Sequence, residues 1–169
     1  MKGAVGGKAK SIDEFMDRAS VALVATDYFE AEKLCLRAMS LARASNDFER
    51  MARITLPLQE ARRQRRQWAC DVPGCHLLGS WPEGNERIAS GRYLLHPPLV
   101  GIDAQALRVL SYRQKVAITI LVREPTTRAG KWPIVGVGSG PREPVVVRIQ
   151  LDPPTPPTHT THTTASTPP

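Results

Sequence analysis

The sequence predicts an α+β chain: a three-helix unit, then a small α/β unit built as β-α-β plus a β-hairpin, then a disordered tail. Three observations carry this. Between residues 12 and 68 apolar side chains recur at steps of three and four, the period of helices that bury one face. Between residues 87 and 152 short β-branched runs flank a single helical stretch, the order that builds a strand-helix-strand crossover. Residues 153–169 are almost wholly Pro, Thr and His, which supply no apolar surface to bury.

Composition narrows the classes of function. The chain has 169 residues, 41% of them hydrophobic and only 5% aromatic, enough for one ordinary domain or two small ones. Against 16 Asp and Glu stand 23 Lys and Arg, giving a net charge of +7 that permits acidic partners or nucleic acid without requiring either. The longest apolar run, 116–122, is far short of the ~20 residues that span a bilayer, so no membrane association is expected. No apolar stretch follows Lys2, Lys8 and Lys10, and the three cysteines form no disulfide framework. Both facts point to a reducing, cytoplasmic setting.

Residues 1–10, rich in Gly and Lys, are expected to be disordered. Ser11 then looks like an N-cap, with Glu14 completing a capping-box pattern before a first helix over 12–25. Phe15, Ala19, Ala22 and Leu23 make its stripe. Thr26-Asp27 breaks it, and a second helix over 28–44 presents Ala31, Leu34, Cys35, Ala38, Met39, Leu41 and Ala42, a face wide enough for two neighbours. A third helix, starting at Asn46 or Asp47, runs through Phe48, Met51, Ile54, Leu58 and Ala61 toward Trp68. Pro57 removes a backbone donor inside it, so a kink or break is expected over 55–57.

Thr26-Asp27-Tyr28, then Ala31, then Ala38 and Leu41 resemble the turn and second helix of a tetratricopeptide repeat, with Ala19 and Ala22 fitting its first helix. The likeness covers one repeat, residues 12–45, and continues into the third helix. Thr26 stands where the family usually has Gly, and no Pro closes the repeat. The resemblance implies a helical surface for docking a protein. The same residues also fit an ordinary three-helix bundle, and both readings predict the same helices.

Within the third helix Arg62, Arg63, Arg65 and Arg66 fan over one broad side at about 100° per residue. As a functional patch they would track the phosphates of a nucleic acid; as a solvated helix end they complement the negative C-terminal dipole, and this plainer reading is preferred. Turn formers then fill 70–86, which reads as a linker between the helical unit of 11–69 and the α/β unit of 87–152. Cys70, Cys75 and His76 fall short of the paired four-ligand spacing of a structural zinc site, so no metal and no cofactor are assigned.

In the second unit 88–95 reads as a strand stopped by His96-Pro97-Pro98. Asp103 caps a helix over 104–113, with Ile102 and Leu107 as a hydrophobic staple. The run 116–122 reads as a central strand buried on both faces and parallel to the first. Strands over 134–137 and 145–151 add an antiparallel edge. Glycines 136, 138 and 140 open no helix, so they make a turn and not a dinucleotide-binding loop. Ligands of parallel sheets sit beyond the carboxyl ends of the strands, and the loop leaving the central strand holds Arg123, Thr126, Thr127, Arg128, Lys131 and Trp132, suited to an anion, a nucleotide or an acidic peptide. No catalytic set stands out. The leading expectation is a non-enzymatic adaptor or scaffold that binds a protein partner through its helical surface, with anion binding by this loop and nucleic-acid binding by the arginines as alternatives.

Overall fold

The computed structural model describes residues 3–81, 87–138 and 145–154. Three helices come first: α1 (Gly3–Val24), α2 (Tyr28–Ala44) and α3 (Phe48–Asp71). The two turns between them are the same turn used twice. Thr26 and Asn46 take left-handed φ values of 59° and 54°, and Asp27 and Asp47 follow as N-caps whose carboxylates accept the backbone N–H of Glu30 and Arg50. Asp27 N–H reaches back to Ala22 O and Asp47 N–H to Ala42 O, both at 2.9 Å, which satisfies carbonyls at the end of the preceding helix.

The hairpins close around small residues. Ala19, Ala31, Ala38, Ala42 and Ala61 are fully buried, so the helix backbones approach closely, and Ile12, Leu34 and Ile54 fill the space between them. α1 begins at Gly3, within the segment expected to be disordered, so Ser11 lies inside the helix and is not its cap. A capping-box pattern marks a helix start only where the chain before it leaves the helix, and no proline forces that exit here. α3 likewise runs unbroken through Pro57 to Asp71. Packing of Ile54 and Leu58 on either side of the proline holds the helix together across the missing donor.

The second unit is a five-stranded sheet in the order β1 (His76–Leu78), β2 (Gly91–Leu95), β3 (Ile118–Arg123), β4 (Trp132–Val137), β5 (Val145–Leu151). β1, β2 and β3 are parallel, and β4 and β5 continue antiparallel. As expected, a helix, α4 (Gly101–Gln114), makes the crossover from β2 to β3, and β3 is central. β1 lies in the stretch read as linker, and β2 is shorter than the expected 88–95. β4 takes in Trp132 and Pro133 ahead of the expected 134–137. α4 starts at Gly101, and Asp103, in its first turn, accepts Val100 N–H at 2.8 Å. Ile102 is 77% exposed and makes no staple. Nor is β3 buried on both faces: Ile118, Ile120 and Val122 point into a core with Leu95, Leu107 and Val135, while Leu121 faces out. The proposed turn over 136–140 falls partly, and the tail beyond 154 wholly, outside the described residues.

Candidate functional site

On the helical unit, positions 12, 13, 16 and 17 fall on one face of α1, and Arg50, Arg53 and Ile54 on the facing side of α3. Together they line a cleft of about 140 Å³. Its floor is apolar, from Ile12, Met16 and Ile54. Its α1 wall carries Asp13 and Asp17 and its α3 wall Arg50 and Arg53. Arg50 closes one end, donating to both Asp13 oxygens at 3.1 Å and to Asp47 at 2.8 Å. Hydrogen bonds from the Arg50 side chain hold Asp13 below the ordinary carboxylate range, and the Arg50 backbone N–H, followed by its side chain, does the same for Asp47. Asp17 and Arg53 stay exposed. From the sequence alone none of these residues is assigned to a binding site. The carboxylates at 13 and 17 lie four residues apart and face two arginines three apart, a pattern legible only once α1 and α3 are known to be neighbours.

The arginine block does not form one surface. Glu32 of α2, 1% exposed, draws Arg62 Nε to 2.7 Å and also receives Arg65 Nη1 and, at 2.9 Å, the hydroxyl of Tyr112 on α4. The buried Arg65 guanidinium lies over the rings of Phe29 and Tyr112, at 3.9 and 4.2 Å from their centroids. Arg63 turns back on Glu60 with two bonds of 2.8 Å and draws that carboxyl down to about 2. Among the described residues only Arg66 of the four has no carboxylate partner. The block therefore splits into a buried pair member, a partly buried one and two exposed cations, of which Arg63 is held by Glu60.

The loop at the carboxyl edge of β3 is a hairpin connection to β4. Thr127 builds it: its N–H donates to Lys131 O at 2.9 Å and its hydroxyl accepts Lys131 N–H at 3.0 Å, while Gly130 takes a φ of 76°. Two of the loop's cations are engaged locally. Arg123 lies over the Trp132 ring at 5.0 Å, and Lys131 reaches Asp152 at 2.5 Å. Arg128 and Thr126 stay exposed. At the neighbouring α4 N-terminus the Asp103 carboxylate already occupies the positive helix end.

Cys70 and Cys75 are exposed, and His76 stacks on Tyr93 at 4.5 Å. Among the described residues no group of three or more His, Cys, Asp or Glu is placed to hold a metal ion. Burial pushes the Cys35 thiol up to about 11, so it remains protonated at neutral pH. No helix is long and apolar enough to cross a membrane among the described residues. No protein-family model, curated protein or solved structure matches the chain.

Proposed function

We propose that the protein is a non-enzymatic interaction module that holds a segment of a partner protein in the cleft between α1 and α3 of its tetratricopeptide-like helical unit. The observation that carries the reading is the cleft itself: an apolar floor from Ile12, Met16 and Ile54 between an acidic and a basic wall. An apolar floor supplies affinity, and opposed charges at the rim set which way round a peptide lies. Arg50 pairs with Asp13 at one end, while Asp17 and Arg53 stay exposed at the rim, where they can meet the charges of a partner segment.

The test is quantitative affinity capture from lysate with the full chain, comparing it with the Asp17→Lys/Arg53→Glu variant. Both side chains are exposed, so the fold is kept, and a thermal melt verifies this. The expected result is a defined set of proteins reduced about tenfold or more by the variant, as loss of ~1.4 kcal/mol of binding free energy would produce. Identical captures from both chains, or recovery of nucleic acid in place of protein, would retire the proposal.

A further inference from the structure

Among the described residues, the face of the sheet turned away from α4 is largely apolar and uncovered. Residues in direct register on neighbouring strands share a face, and one such row crosses all the strands: Leu77, Leu94, Leu121, Gly136, Val147. Leu77 is 66% exposed, Leu121 50% and Val147 54%. Ile149 and Leu151 extend the exposed surface along β5. On the opposite face the row Leu95, Val122, Val135 is buried beneath helix. Soluble chains rarely leave an apolar patch of more than a few hundred Å² uncovered without a use for it.

We infer that this face packs against the same face of a second copy of the chain, forming a two-fold sheet-on-sheet dimer. A knob and a hollow stand side by side in the row. Leu121 projects, whereas beside it a Cβ on Gly136 would have only Val147 within 4 Å, with its nearest atom at 3.9 Å. A two-fold axis running along the strands, midway between β3 and β4 and above the face, carries each Leu121 over the other copy's Gly136. The same rotation sets Leu94 of one copy over Val147 of the other, which is what an isologous interface requires.

Charge is confined to the ends of the contact. Arg123 lies at one end of the face with its guanidinium over Trp132, and Arg92 at the other end donates to the carbonyls of Val72 and Gly74, so the middle is free of like charges. The rotation overlays β2 to β5, and four strands ~4.8 Å apart, each presenting about 17 Å of length, give a projected footprint of roughly 330 Å². This is smaller than the ~800 Å² of accessible surface that each partner of a standard-size interface contributes, so the dimer is expected to be a weak one that dissociates on dilution. This surface lies apart from the α1–α3 cleft and does not depend on the reading of that cleft.

The experiment is sedimentation velocity of the full chain over a dilution series, with reductant present because Cys70 and Cys75 are exposed thiols. The wild type is expected to sediment at twice the chain mass and to dissociate on dilution. Leu121→Lys places a charge on the knob and Gly136→Val fills the hollow with a strand-forming side chain. Each is expected to weaken the dimer roughly thirtyfold or more, the loss that truncating an interface hot spot brings. Val24→Lys, on an exposed position of α1, should leave the dimer intact. A wild type that is monomeric throughout, a dimer indifferent to both sheet variants, a dimer equally lost in Val24→Lys, or a monomer that instead floats with neutral phosphatidylcholine vesicles would each overturn the inference. Melting curves of both sheet variants confirm that they fold, and either variant alone suffices for the comparison.

Discussion

Glu32 is the one acidic side chain buried among the described residues, and it ties together three elements: α2, which carries it, α3 through Arg62 and Arg65, and α4 through Tyr112. Such a residue is illegible in sequence. Between Ala31 and Lys33 it reads as a charge on a solvated helix face, and Arg65 reads as one cation of a row, because neither reveals which helix comes to lie across it. A buried carboxylate is tolerable only with its partners in place, so its removal strands charge. Glu32→Gln keeps the shape but leaves Arg65 buried without its anion, and is expected to cost about 3 to 5 kcal/mol in urea unfolding. Tyr112→Phe removes the hydroxyl that donates to Glu32 and keeps the ring contacts with Phe29 and Arg65, so about 1 to 2 kcal/mol is expected. Equal losses in the two variants would show that packing, not charge, dominates the seam.

At the scale of the elements, the helix faces were legible because burial follows the 3.6-residue period: Ala31, Leu34, Cys35, Ala38 and Ala42 were expected inside and are inside. The parallel β2–β3 pair followed from a helix placed between two β-branched runs. β1 was missed because three residues carry too little period to stand out from a segment rich in Pro and Gly. Helix stops needed more than composition, since α1, α2 and α4 all end on a left-handed residue that is not glycine: Thr26, Asn46 and Lys115. At each, the following N–H bonds back five residues, as from Val116 to Ser111 at 2.9 Å. A β-branched side chain resists this conformation most and Asn least. Thr26→Gly is therefore expected to stabilise the chain by about 1 kcal/mol and Asn46→Gly by less, read as a rise in melting temperature. A lower melting temperature for Thr26→Gly would mean that the threonine side chain contributes a contact worth more than the strain it brings.

At the scale of the whole molecule, the sequence points to two units joined by a linker, whereas the structure joins two apolar cores across a polar seam. Alongside the Glu32 cluster, Lys115 reaches Asp27 at 3.2 Å, and the Phe29 and Tyr112 rings meet edge to face at 5.8 Å. The candidate site was legible only to the extent that one helix face was. The cleft needs α1 and α3 side by side, which follows from α2 being short and the same turn occurring twice, but its charges carry no signature in isolation. Opening the seam would break the Tyr112 hydrogen bond to Glu32, part the Phe29 and Tyr112 rings and lift Tyr112 from the Arg65 guanidinium, so the two cores should lose their structure together. Trp68, packed on Tyr28 at 4.7 Å, reports the helical unit, and Trp132 in β4 reports the sheet. In chains carrying Trp81→Phe and only one of these two tryptophans, the urea transitions are expected to coincide with each other and with far-ultraviolet dichroism. Adding Glu32→Gln should separate them, with the sheet signal and the helix signal reaching their midpoints at different urea concentrations. Separate transitions already in the unmodified seam would show that the units fold independently and that the buried cluster does not couple them.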